Sequence, residues 1–174
     1  MGFFDKLFGG KTEQEETVKF FGQSKTVLTP IRGKVLAQAD IPDETFAQGI
    51  LGPGAAVQPS EGRIVAPANG TVDMMFDTGH AVSMTTSEGA ELLIHVGIDT
   101  VNLKGQHYTA KCKSGDTVRK GDTLIEFDID AIREAGYEVV TPVIVCNPDA
   151  FASVKTEDAG SVQAGDDLLT LEKK

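Results

Sequence analysis

Residues 77–100, DTGHAVSMTTSEGAELLIHVGIDT, hold two of the chain's three histidines, His80 and His95, fifteen positions apart. His95 ends a short run of branched apolar residues, Leu92-Leu93-Ile94, and precedes Val96-Gly97-Ile98-Asp99. Bounded by Gly89 and Gly97, that run reads as a buried strand. His80 follows the turn signal Thr78-Gly79 and leads into Ala81-Val82-Ser83-Met84, a second strand. Ser87-Glu88-Gly89 supplies a turn between them. An antiparallel pair closed there brings the two imidazoles together, and the remaining chain is read around that pair.

From Val27 onward, short apolar or alternating runs are separated by Gly, Pro, Asn and Asp clusters at spacings near ten. Examples are Lys34-Val35-Leu36, Arg63-Ile64-Val65, Thr71 to Phe76, Thr123 to Phe127 and Leu168 to Leu171. This is the pattern of an all-β sandwich or barrel. One short helix is expected over Asp128–Gly136, which has an acidic start and a terminal glycine, and a further helical turn over Asp149–Val154. Two short motifs recur. P-x-x-G-x-V occurs at 30–35 and 67–72, and V-x-x-G-D-x-L at 118–124 and 162–168. Two such pairs suggest a duplicated β motif; recurrent turn chemistry explains them as well.

The first ten residues, MGFFDKLFGG, place Phe4 and Phe8, and Phe3 and Leu7, four apart, so a helix there has an apolar side. Residues 3–8 then offer weak membrane contact, although a solvated tail accounts for them equally. The polar, Glu-rich stretch 11–25 reads as a linker. The expected division is a flexible tail over 1–25 and one β domain over 26–174. A net charge of −10 disfavours nucleic acid. No apolar run reaches bilayer length, and no basic region precedes an apolar one at the N-terminus. Cys112 and Cys146, with no paired spacing, read as reduced thiols, so a cytoplasmic protein is expected.

A neutral imidazole is a good nucleophile near pH 7. Its Nε2 attacks a phosphoryl group when an acceptor on Nδ1–H fixes the tautomer. A second imidazole, the Thr78 hydroxyl and backbone N–H groups can serve the phosphoryl oxygens. Two close histidines and Thr78 therefore suffice for a phosphohistidine site. The same pair could hold Zn²⁺, but a closed zinc site needs four ligands and no local motif supplies the others. Purely structural histidines are the third reading, and pattern alone leaves all three open.

T-G-H-A at 78–81 and H-V-G-I-D-T at 95–100 resemble the paired histidine motifs of the glucose-type enzyme IIA of the bacterial phosphoenolpyruvate-dependent sugar phosphotransferase system. The likeness extends through Ala66-Pro67, Gly70-Thr71-Val72, Val101-Asn102-Leu103-Lys104-Gly105 and Gly115-Asp116 to Phe127, and the opening MGFFDKLF is similar as well. It implies an antiparallel β-sandwich of the barrel-sandwich type, built on a duplicated hybrid motif. It implies a phosphotransferase component without turnover of a small molecule of its own. His95 would take phosphate on Nε2 from the phosphocarrier HPr and pass it to a cysteine of a sugar permease's IIB domain. His80 would bond the phosphoryl group, Thr78 would donate or relay, and the Gly97 carbonyl would hold Nδ1–H of His95. An apolar ring of Phe46, Leu51, Phe76, Leu93 and Val101, rimmed by Asp43 and Asp99, would receive partners; these residues could equally be core or turn caps. The resemblance also implies regulatory binding of permeases or metabolic enzymes by the unphosphorylated form. No cofactor is expected, although Zn²⁺ bridging His80, His95 and a partner's carboxylate fits such contacts. His107 departs from the family pattern of a small residue before Phe and is read as a surface residue. A zinc hydrolase lacks its ligand set here, and a biotinyl or lipoyl carrier lacks its carrier lysine.

Overall fold

A computed structural model describes residues 24–28, 30–156, 161–162 and 167–173. The apolar stretch at 3–8 and most of the linker lie outside the described residues. β1 (Ser24–Leu28) is followed by β2 (Gly33–Ala37), β3 (Gly54–Pro59), β4 (Arg63–Val65), β5 (Gly70–Met75), β6 (Ala81–Thr86) and β7 (Glu91–His95). Then come β8 (Tyr108–Ala110), β9 (Thr117–Val118), β10 (Thr123–Phe127), β11 (Thr141–Val145), β12 (Phe151–Thr156), β13 (Ser161–Val162) and β14 (Asp167–Lys173). Among the described residues two short helices interrupt them, α1 (Glu44–Ala47) and α2 (Ile129–Glu134). Among the described residues every strand pair is antiparallel. One sheet has eight strands in the order β13-β2-β3-β11-β7-β6-β5-β9, and two have three, β1-β14-β12 and β4-β10-β8. The fold is an antiparallel β-sandwich, as the resemblance implies and within the sandwich-or-barrel class that the turn spacing predicts.

Strand alternation divides the apolar residues between two clusters. Ala55 and Val57 of β3, Leu92 and Ile94 of β7, and Val143 and Val145 of β11 enter the main core with Ile64, Leu124, Ile125, Leu168 and Leu169 from the smaller sheets. Their neighbours Ala56, Leu93 and Ile144 face the other way, into a satellite cluster with Ile41, Phe46, Ile98 and Val140. Because side chains alternate with period two, His95 follows Leu93 and points to this outer side.

The short repeats are structural. In both P-x-x-G-x-V motifs the glycine pairs with the first valine of a V-x-x-G-D-x-L motif: Gly33 with Val162, and Gly70 with Val118. Both glycines lie under a neighbouring strand's carbonyl. A Cβ at Gly33 would strike the Gln58 carbonyl oxygen, and one at Gly70 the Thr85 carbonyl oxygen. The repetition is therefore the same strand junction built twice, with glycine required at each.

Two local expectations change. Ser24 and Lys25, read as linker, are the first residues of β1 and pair with Glu172 and Leu171 of the distant strand β14. The expected helical turn over 149–154 is confined to a 3-10 turn at Pro148–Ala150. Beyond it β12 pairs with β14 and Phe151 is buried in the main core, so long-range pairing overrides the local signal. The helix expected near 128–136 is present as α2, with the Asp128 side chain accepting the Ala131 N–H at its start.

Candidate active site

The predicted hairpin forms as read. β6 and β7 pair in register, Ala81 opposite His95 and Ser83 opposite Leu93, across a turn at 87–89. His80 stands one residue before β6, and its carbonyl accepts the Val96 N–H at 2.7 Å. The two imidazole centroids lie 4.9 Å apart at 81°. That distance lets both rings reach one small anion placed between them.

Each ring is held by one nitrogen. His95 Nδ1 lies 2.7 Å from the Gly97 carbonyl oxygen, which accepts its proton and leaves the Nε2 lone pair free. Gly97 adopts φ +94°, and a Cβ there would meet Thr100 Cγ2 at 2.5 Å and the Glu138 carbonyl oxygen at 2.9 Å. Glycine is thus required for the turn that offers this carbonyl. His80 Nδ1 bonds the Thr78 hydroxyl. His80 is only 3% exposed. Burial, reinforced by the neighbouring His95, pushes its pKa down to about 4, so the ring is neutral at pH 7. Burial also lowers His95, opposed by the Gly97 carbonyl and the carboxylates of Asp43 and Asp99. Both rings are accordingly uncharged at pH 7.

Aromatic side chains pack around the pair. The Phe46 ring lies 5.3 Å from His95, and Phe76 meets His80 edge-on at 5.6 Å. Phe46 belongs to the satellite cluster and is only 6% exposed, so it supports His95 from beneath rather than forming part of an open ring. Phe76 and Leu93 are half-buried, whereas Leu51 (41%) and Val101 (52%) are exposed. Asp43 caps α1, accepting N–H bonds from Thr45 and Phe46, and so fixes the Phe46 backbone. Its capping role and its charge toward His95 coexist. Asp99 is exposed, in the left-handed region at φ 60°.

Some neighbours escaped sequence reasoning. Ile50 and Met74 are exposed large apolar side chains beside Leu51 and near Phe76 in the chain. Tyr108 packs against His80, with ring centroids 6.4 Å apart. The only sequence signal for it was an aromatic residue directly after the family-atypical His107. His107 itself is exposed. Cys112 and Cys146 are free thiols, the first buried and the second exposed. Among the described residues no three His, Cys, Asp or Glu side chains converge as a metal set, and no helix is long and apolar enough to cross a membrane. For a zinc ion the two rings offer only their Nε2 atoms, since both Nδ1 atoms are engaged, so a partner would have to complete the ligand set.

Comparison with known proteins gives a consistent result. The family model described as phosphoenolpyruvate-dependent sugar phosphotransferase system, EIIA 1, matches residues 25–151. A glucose-specific EIIA component from Haemophilus influenzae is 38% identical over 174 residues, covering all of both chains. A beta-glucoside-specific EIIBCA component from Bacillus subtilis (strain 168) is 44% identical over 150 residues, 86% of this chain but 25% of that protein. The chain thus spans about a quarter of the length of such beta-glucoside-specific relatives. Among solved structures, glucose permease IIA from Mycoplasma capricolum superposes with a TM-score of 0.77 at 29% identity, covering 87% of this chain and 97% of that one.

Proposed function

The chain belongs to the EIIA 1 family of the phosphoenolpyruvate-dependent sugar phosphotransferase system, and from that premise we propose that it is a phosphoryl carrier whose acceptor is His95. The observation that carries this reading is the pair of neutral imidazoles 4.9 Å apart, with His95 Nδ1 bound to the Gly97 carbonyl. In that tautomer the Nε2 lone pair attacks phosphorus on the phosphohistidine of HPr. The new N–P bond forms as the old one breaks, and the electron pair returns to the HPr imidazole. With Thr78 donating to Nδ1 of His80, the His80 Nε2–H faces outward and bonds a phosphoryl oxygen as charge develops. In the second half, a IIB cysteine thiolate attacks phosphorus and the His95 N–P bond breaks.

The exposed apolar residues Leu51 and Val101, with half-buried Phe76 and Leu93, form the docking surface for both partners. Asp43 and Asp99 draw a basic face to it. Fusion of the matching region to B and C components in the beta-glucoside-specific relatives supports a IIB domain as the acceptor. Unphosphorylated, the same face would bind permeases or metabolic enzymes, and phosphate placed in it would break such contacts. A zinc ion at such a contact would take the two Nε2 atoms and a partner's carboxylate. The expected single β domain, with its start moved to Ser24 where β1 begins, belongs to the same reading, as does work in the cytoplasm.

The test is incubation with phosphoenolpyruvate, enzyme I and HPr. The wild type should gain one acid-labile, base-stable phosphate, and His95→Ala should gain none. His80→Gln should still accept phosphate, while its onward transfer to a IIB domain falls roughly 10²–10³-fold, the usual loss of one transition-state donor. Normal onward transfer by that variant would remove His80 from the role.

A further inference from the structure

Tyr108, the first residue of β8, touches both histidines' supports although it lies outside the two histidine motifs. Its ring meets His80 edge-on at 71° and stacks on Phe127, 6.2 Å away at 27°. Its hydroxyl donates to the Val96 carbonyl at 2.8 Å. That carbonyl also accepts the Thr100 hydroxyl at 2.8 Å, while the Val96 N–H donates to the His80 carbonyl. Val96 sits between His95 and Gly97. Its carbonyl belongs to the peptide plane that leads into Gly97, and the next carbonyl in the chain is the one that orients His95.

We propose that Tyr108 is a positioning residue for the histidine pair, its ring setting the tilt of His80 and its hydroxyl, through Val96, setting the Gly97 carbonyl that fixes the His95 tautomer. The proposal rests on His95 being the phosphoryl acceptor. Tyr108 is well placed to impose geometry because its own backbone is pinned on two sides. It pairs with Phe127 in the β8–β10 ladder, and the preceding residue, His107, is in the left-handed region at φ 77° with its carbonyl accepting the Asp128 N–H at 3.0 Å. Burial holds the phenol proton in place by pushing its pKa up to about 12, so the hydroxyl remains a donor throughout the working range. A strand pinned on one side of the site thereby fixes the His95 ring at the end of β7 and the His80 ring just before β6.

Tyr108→Phe isolates the hydroxyl, because it keeps the ring, the Phe127 stack and the contact with His80. Phosphoryl acceptance from phospho-HPr is measured in wild type and variant, alongside imidazole ¹⁵N spectra of the unphosphorylated proteins. The wild type should show His95 as a single Nδ1–H tautomer. The variant should show a mixture of tautomers, and its acceptance rate should fall about fivefold, the worth of one neutral hydrogen bond, with KM for phospho-HPr unchanged. Tyr108→Leu, lacking the ring too, should fall further and shift the His80 resonances. A wild-type rate in Tyr108→Phe overturns the proposal. So does a lower rate with an unchanged His95 spectrum, which general loosening would produce. If the wild type itself takes no phosphate on His95, the underlying reading fails first, and that result is distinct from either of the others.

Discussion

His80 and His95 are close in space but are prepared differently, and the difference sets what each can do. His95 has a carbonyl on Nδ1 and two carboxylates nearby that oppose the effect of burial. His80 is sealed, with a hydroxyl on Nδ1 and a pKa near 4. The shift on His80 has a consequence for stability. Its folded pKa lies below the ordinary 6.5, so as pH falls from about 6.5 to 4 the unfolded chain takes up a proton that the folded one refuses. Stability should therefore be full above pH 6.5 and decline through that window. Urea denaturation at pH 7 and pH 4.5 should show His80→Gln losing less than the wild type, by at most about 2 kcal/mol. Gly97 offers a second test at this scale. Gly97→Ala must hold alanine at φ +94° against Thr100 and the Glu138 carbonyl. It should cost about 2–5 kcal/mol in the same denaturation assay, and it should disorder the His95 tautomer.

At the level of the element, β7 separates stability from function by parity. Ile94 is fully buried in the main core, whereas Leu93, on the opposite side of the strand, is half-buried beside His95. Ile94→Ala should cost about 2–5 kcal/mol by calorimetry or denaturant titration. Leu93→Ala should cost less than that, while raising KM for phospho-HPr more than it lowers stability. The β6–β7 hairpin was legible in the sequence because its signals are local: a turn, two apolar runs and a glycine on each side. The same held for the Asp128-capped α2. Elements set by distant pairing were not legible. Ser24 and Lys25 look like linker until β14 is beside them, and Phe151 to Val154 look helical until the same strand claims them. The two histidine motifs gave the centre of the site, but Phe46 shows the limit of reading a rim from sequence. Its four-residue helix is too short to show a period, so nothing local reveals that its ring lies under His95 rather than open to solvent. Tyr108 is similar, since only the β8–β10 register carries it to His80.

Over the whole molecule, the duplicated junctions at Gly33–Val162 and Gly70–Val118 bracket the large sheet at its two ends. His95 lies on this sheet's outer face, away from the main core, half-buried and within reach of a partner, while His80 is buried beside it. The net charge of −10 acts at this scale as well. If Asp43 and Asp99 add to a field that draws in a basic partner, the second-order rate of phosphoryl acceptance from phospho-HPr should fall as salt rises, with kcat much less affected. Stopped-flow transfer at about 50 mM and 500 mM salt, on either side of physiological screening, would read this directly. An acceptance rate insensitive to salt would assign the charge to solubility alone. The central claim, that one imidazole receives the phosphoryl group and the other steadies it, is tested most directly by locating the phosphate. Protein loaded through enzyme I and HPr should show, by ³¹P and ¹⁵N NMR, a single N–P bond on Nε2 of His95; phosphate on His80, on Nδ1 of His95, or on no histidine would contradict it.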